Sequence, residues 1–292
     1  MHPKSIHTAA YDFNALTETH PELAPYVFRN EYDQETIDFS IPAAVLHLNK
    51  AILKQDYNLT DWNIPTHYLC PPIPGRAEYI HHIADILSEQ AKDKNVRGLD
   101  IGMGANCIYP ILGAQIYNWK MVGADIDANA FASAEANVKA TKGLAAKIEI
   151  RKQNNNANLF EDIIQKDEYF DFTICNPPFH ASEEEATKGT LRKLRNLRKE
   201  DGFQTKDEIV LNFGGQASEL WCNGGEALFI KRLIKQSSTF KTQVGFFSTL
   251  VSKKENLNKI YKQLDKLKAL HKTVVMNHGN KKSRFVYWWF EN

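Results

Sequence analysis

"VRGLDIGMGANCIYP", residues 96–110, runs from an apolar stretch through two glycines into a second apolar stretch. Val96 to Gly102 reads as a strand entering a glycine turn, and the residues after Gly104 read as the start of a helix. The same alternation repeats downstream. Strands are expected at 120–126 (KMVGADI), 146–150 (AKIEI), 169–175 (YFDFTIC) and 243–251 (QVGFFSTLV). Between them lie helical patterns at 128–141, with Asp127 as N-cap, at 225–240 and at 255–270. KTVVMN (272–277) and SRFVYWWF (283–290) are separated only by HGNKK and predict a closing hairpin. Alternating strands and helices imply βαβ units, hence an α/β fold with a mostly parallel sheet. One antiparallel strand is expected at its end.

Composition narrows the class. The 292 residues are 43% hydrophobic and 24% charged, which suits a packed globular core. No apolar run is long enough for a membrane span, and MHPKSIHTAAYDF has no signal-peptide core, so a cytoplasmic protein is expected. Cys70, Cys107, Cys175 and Cys222 are too dispersed for a metal motif. His81 and His82 are adjacent and point to different helix faces, so no metal site is expected. The net charge of +1 is uninformative, but the run KGTLRKLRNLRK (188–199) holds Lys188, Arg192, Lys193, Arg195, Arg198 and Lys199 without an acid. Lys281, Lys282 and Arg284 form a second cluster. Such runs are solvated faces or nucleic-acid surfaces.

Residues 1–95 lack the strand–helix alternation. They carry amphipathic helical patterns, including PAAVLHLNKAILKQDY, and a proline-rich turn before a helix in CPPIPGRAEYIHHIADILSEQ. This segment reads as a mostly helical extension on a Rossmann-like domain of residues 96–292. His2, Lys4, His7 and Arg29 make it a second candidate nucleic-acid surface.

Ligands of open parallel sheets bind beyond the carboxyl ends of the strands. Gly102 and Gly104 let backbone approach a ligand there, and Asp125 ends the next strand where a ribose-binding acid belongs. Cys107 stands where a dinucleotide fingerprint has its third glycine, which counts against NAD or FAD. S-adenosylmethionine needs no pyrophosphate cradle. Asp100 suits its cationic groups, and Arg76 can fork onto its carboxylate. Asn154 and Asn155, after the third strand, are the candidates nearest its adenine amine.

TICNPPF (173–179) closes the fourth strand on the same edge. Proline cannot donate to a ladder, so Pro177 and Pro178 end the strand at once and stiffen the corner. The Asn176 amide oxygen and the Pro177 carbonyl form a pair of acceptors for the two N–H groups of an exocyclic amine. Accepting from both localises the nitrogen lone pair. Phe179 offers a stacking face, a contact of about 1–3 kcal/mol per base. The corner alone specifies an amine methyl acceptor. A DNA adenine, a protein glutamine, or a vestigial site in a non-catalytic RNA-binding protein stay open at this point.

Longer strings narrow the reading. MHPKSIH, DFSIPAAVLHLNKAIL, LCPPIPGRAEYIHHIADIL, LDIGMGANCIYP, CNPPFH, LNFGGQASELWCNGGEALFIKRLI, STLVSKKENL and KKSRFVYWWF make the chain resemble, nearly end to end, the large-subunit ribosomal RNA adenine-N6-methyltransferase F family. That family is related to the methyltransferase-like-16 proteins. The resemblance implies a class I S-adenosylmethionine-dependent methyltransferase, Rossmann-like, with a seven-stranded mostly parallel sheet and an N-terminal extension. It implies methylation of N6 of one adenine in 23S ribosomal RNA, free or in a large-subunit assembly intermediate, by a bacterial cytoplasmic enzyme. A monomer is expected. Arg76, Gly102, Asp125 and Asn176 match the family's pocket positions. An adenine must be unstacked to enter such a pocket, so the basic run shortly after Phe179 becomes the expected RNA contact.

Overall fold

In a computed structural model, residues 1–66, 68–90, 95–180, 182, 222–278 and 281–291 are described. The expected RNA contacts Lys188, Arg192, Lys193, Arg195, Arg198 and Lys199 lie outside the described residues.

Phe170–Cys175 shows why a sheet forms at the centre. All six of its residues are buried, Asp171 and Thr173 among them, as in a strand covered on both faces. The strands in chain order are β1 (Val27–Arg29), β2 (Glu35–Ile37), β3 (Arg97–Ile101), β4 (Lys120–Asp125), β5 (Ile148–Lys152), β6 (Phe170–Cys175), β7 (Val244–Leu250), β8 (Leu270–His278) and β9 (Lys281–Trp289). β1 and β2 form a separate hairpin; the other seven make one sheet in the order β5-β4-β3-β6-β7-β9-β8. β3 to β7 are parallel, and β9 is antiparallel to both β7 and β8.

The antiparallel strand is therefore internal, whereas the sequence pattern placed it at the sheet's end. The side chains explain the inversion. Phe285, Val286, Tyr287 and Trp288 of β9 are all buried and claim the inner position. β8 exposes Leu270 and Val275 and carries Lys272, features that an edge strand tolerates.

Gly98 in β3 faces Phe172 in β6. A methyl group on Gly98 would collide with the Phe172 ring. That ring packs against Trp119 and Phe246, with centroids 5.0 and 6.0 Å away. The glycine thus makes room for an aromatic layer under the sheet.

The helices are α1 (Phe13–Thr19), α2 (Pro42–Tyr57), α3 (Ile73–Glu89), α4 (Ile108–Tyr117), α5 (Ala128–Ala140), α6 (Gly225–Ser237) and α7 (Leu257–Lys266). Asp127 caps α5, accepting from the backbone N–H of Asn129 and Ala130. α1 to α3 share one buried apolar cluster with the sheet, running from Phe13 and Leu16 through Trp62 and Tyr79 to Phe172 and Phe246.

His2 and His7 do not form the surface expected of them. His2 is buried: its backbone N–H donates to Glu78 at 2.9 Å, and its ring lies 2.7 Å from Asp85. The His7 side chain is buried and meets the Tyr57 hydroxyl at 2.7 Å. Both fasten the N-terminus to helices. Lys4 pairs with Asp85, and Arg29 is exposed and pairs with Asp33.

Opposite charges tie three strands of the sheet together. Glu168, just before β6, takes both Arg151 terminal nitrogens, at 2.6 and 2.7 Å, and one from Arg97 at 2.6 Å. Arg151 holds the Glu168 carboxyl down at about 2, from an ordinary 4.5. A depressed carboxylate stabilises the fold above its ordinary value and loses that contribution as pH falls through the lowered one. Glu168→Gln should therefore lower Tm at neutral pH. It should also make the loss of stability between pH 4.5 and 2 shallower than in the unaltered chain, as read by thermal denaturation across that window. Identical acid limbs would remove Glu168 from the account.

Candidate active site

Strand order reverses between β3 and β6, and a cavity of about 250 Å³ opens beyond their carboxyl ends. Arg76, Gly102, Gly104, Asp125, Asn176 and Pro178 line it together. Gly102, Asp125 and Asn176, far apart in sequence, thus face one space because β3, β4 and β6 run parallel and side by side.

The glycine turn supplies the floor. Gly102 and Gly104 have φ of +74° and +64°, values that side chains other than glycine resist. A methyl placed on Gly102 would meet nothing within 4 Å, so a ligand can approach the backbone there. Asp125 braces the turn, its two oxygens accepting from the N–H of Gly104 and of Asp127, each at 2.9 Å. Each oxygen keeps a second lone pair for a ligand hydroxyl. Cys107, at the place of the missing third glycine, is itself left-handed at the start of α4, with φ +50° and a buried thiol.

Arg76 comes from the first turn of α3. One of its terminal nitrogens donates to the Tyr109 hydroxyl at 2.7 Å, with the guanidinium 5.4 Å from the Tyr109 ring centre. That bond aims the rest of the fork into the cavity, where it can take a carboxylate.

Asp100 lies behind the cavity wall, fully buried. Among the described residues neither of its carboxylate oxygens has a hydrogen-bond partner. Burial, and then the neighbouring Asp125 charge, push its carboxyl well above the usual range; Arg76 opposes the shift. Burial also raises Asp125. A buried acid and a half-buried one beside a single arginine make a site that gains when a cation enters.

At the corner after β6, Pro177 and Pro178 are buried and Asn176 and Phe179 half-buried. Pro178 lines the cavity, while Pro177 and Phe179 are off its wall. The Asn176 side-chain oxygen is buried without a partner among the described residues. The described chain leaves this corner at His180 and returns beside it, since the Cys222 N–H donates to the His180 carbonyl at 3.1 Å.

Asn154 and Asn155 do not line the cavity; Gln153, Asn156 and Asn158 do. Asn154 is exposed, and the Asn155 side chain accepts from the Ala157 N–H at 3.0 Å to close a local turn. A further wall went unread in the sequence. Phe229 and Arg232, three residues apart on α6, face the cavity with Cys222. Arg232 donates to the Asn156 carbonyl at 3.0 Å, joining that wall to the asparagine turn. The only available signal was an aromatic and a cation sharing one helix face.

The chain matches, over residues 1–292, a family described as RNA methyltransferase. It is similar to the Ribosomal RNA large subunit methyltransferase F of Christiangramia forsetii, 57% identical over 291 residues and covering 100% of both chains. The protein of the same name from Pseudomonas aeruginosa is 48% identical over 294 residues, 99% of this chain and 87% of that one. Among solved structures, the hMettl16 catalytic domain in complex with MAT2A 3′UTR hairpin 1 has a TM-score of 0.84 at 29% identity. All of this chain and 96% of that one are covered. The N-terminal domain of human METTL16 in complex with SAH has a TM-score of 0.79 at 26% identity, covering 100% and 99%.

The buried acids set a pH dependence. If a sulfonium cation lies near enough to favour ionised Asp100, its binding releases a proton wherever Asp100 is neutral in the empty site. Affinity should then rise with pH through the raised value of Asp100, by at most about tenfold per pH unit for one proton, and level off above it. The neutral thioether product should show a weaker rise, and Asp100→Asn should abolish the difference. Calorimetric titration in two buffers of unlike ionisation enthalpy counts the proton; equal counts in both proteins would sink the assignment.

Proposed function

We propose that this chain, which belongs to the RNA methyltransferase family, methylates N6 of one adenine in large-subunit (23S) ribosomal RNA with S-adenosylmethionine as donor. The observation that carries the acceptor chemistry is the Asn176 side-chain oxygen. It is buried, lacks a protein partner among the described residues, and sits at a cavity wall stiffened by two prolines.

The residues present fit the donor. Asp100 and Asp125 supply negative charge behind and beside the glycine turn, Arg76 takes the carboxylate, and Asp125 takes ribose hydroxyls. Gln153, Asn156 and Asn158 replace Asn154 and Asn155 as candidates for the adenine end. When bound, S-adenosylmethionine supplies an electrophilic methyl group on sulfur.

The rest follows from the corner. An adenine amine is a poor nucleophile because its lone pair is delocalised into the ring. Asn176 Oδ1 and the Pro177 carbonyl accept its two N–H bonds, hold the nitrogen in line and localise the lone pair. Phe179 stacks on the base. No strong base is required, since the methylated nitrogen is acidic enough to lose its proton to water. The acceptor is an unstacked nucleotide, and the basic run 188–199 follows Ser182 closely enough in sequence to serve as its phosphate contact. We assign the work to a single chain in the cytoplasm, where a ribosomal RNA substrate of the kind named for its relatives is found.

Labelled methyl transfer to naked 23S RNA, tRNA, DNA and a protein extract tests the substrate class. Label in the large-subunit RNA alone is expected, and label only in protein would end the RNA reading. Asn176→Ala and Phe179→Ala should each cut single-turnover rate by about 10²-fold or more while leaving donor affinity within a few fold. An equal loss of donor affinity would make the corner part of the donor site. Neutralising Arg192, Lys193 and Arg195 should flatten the salt dependence of RNA binding, by about 0.7 in log–log slope for each phosphate left without its cation. An unchanged slope would remove the run from the interface.

A further inference from the structure

A chain of hydrogen bonds crosses the core between α3 and β6. Tyr79, on α3, is fully buried and stands three residues after Arg76, on the same helix face. Its hydroxyl bonds to Ser248 Oγ of β7 at 2.9 Å. Ser248 Oγ in turn donates to the Thr173 carbonyl of β6 at 2.6 Å. Ser248 and Thr173 are themselves buried. A serine has one hydroxyl proton, and Ser248 commits it to Thr173, so Tyr79 must donate. The chain has a single direction and no spare partner.

Its two ends are the parts of the site that must agree. Thr173 lies three residues before Asn176 on the strand that delivers the acceptor corner. At the other end, the Tyr79 ring meets the Tyr109 ring edge-on with centroids 5.7 Å apart, and Tyr109 is the group that holds Arg76. Packed apolar faces fix how near two elements lie but allow sliding along them. A buried directional bond selects one register, because a slip leaves polar groups unpaired. Ser248 is a fully buried polar side chain, in a place that an alanine would otherwise fill.

We propose that Tyr79 and Ser248 are positioning residues for the transfer. They pin α3 to β6 at the height where the Arg76 grip on the donor and the Asn176 grip on the acceptor are in line. The inference rests on the roles proposed above for Arg76 and Asn176. In-line transfer is sensitive to shifts of about 1 Å, so loss of the pin should appear in binding and rate before it appears in folding.

The test uses the full chain with Tyr79→Phe, Ser248→Ala, the double variant and Arg76→Ala. Donor affinity is read by calorimetry and single-turnover rate on a 23S RNA fragment, both well below the thermal midpoint. Each single variant should weaken S-adenosylmethionine by about threefold to tenfold and slow transfer at saturating donor by a similar factor. The double variant should be no worse than the more impaired single variant, since the two hydroxyls act as one unit. A fall in thermal midpoint with affinity and rate unchanged would overturn the proposal, as would fully additive losses. Impaired Arg76→Ala with normal Tyr79→Phe would defeat the pin alone. Normal Arg76→Ala with impaired Tyr79→Phe would defeat the Arg76 assignment, and with it the purpose given to the pin.

Discussion

The pairing of β3 with β6 is the constraint on which the rest of the molecule depends. These strands are distant in sequence, yet Asp100 lies opposite Ile174 and Ile101 opposite Cys175. That register brings Gly102 and Asn176 level at the sheet's edge. Side chains alternate faces along a strand, so a slip of one residue would turn Asn176 from the cavity and bring Asp100 to the other face. Phe172 opposite Gly98 guards the register sterically, because its ring needs the space that only glycine leaves. The donor turn and the acceptor corner are therefore two consequences of one ladder.

Electrostatics then decide what the edge can hold. Asp100 is buried beyond reach of water and, among the described residues, without a hydrogen-bond donor, an arrangement that costs stability unless a partner is supplied. The unpartnered oxygen of Asn176 presents the same imbalance on the acceptor side, in neutral form. On the proposed reading, the loaded cavity offsets the cost that both groups carry in the empty one.

Much of this was legible in the sequence, for identifiable reasons. The strand-and-helix alternation, the Asp127 cap and the whole of α2 follow from periodicity and capping chemistry, which are local. Gly102, Gly104, Asp125 and the proline corner were legible because each marks a strand end. The misreadings all concern choices that only tertiary packing makes. Which strand of the closing hairpin lies inside depends on the relative burial of Trp288 and Val275, not on either strand's own pattern. Three consecutive asparagines are equivalent until a turn consumes one of them, as Asn155 shows. His2 and His7 looked like surface cations because nothing local reveals that Glu78, Asp85 and Tyr57 await them. Phe229 and Arg232 lie on an ordinary amphipathic helix, and only its placement over the cavity distinguishes them.

The N-terminal segment is where local reading and packing diverge furthest. Its composition sets it apart from the alternating region, yet it supplies Leu69, Pro71 and Arg76 to the cavity wall. The Trp62 indole donates to the Asn106 carbonyl at 2.8 Å, and the Tyr68 hydroxyl to Asp127 at 2.9 Å. These bonds reach the segment after the glycine turn and the cap of α5. A segment bonded to the turn, sharing the core and carrying one of the charged groups behaves as part of the catalytic body. Its separate composition reflects the lack of a strand of the seven-stranded sheet within it, because helices laid against an existing sheet need only one apolar face.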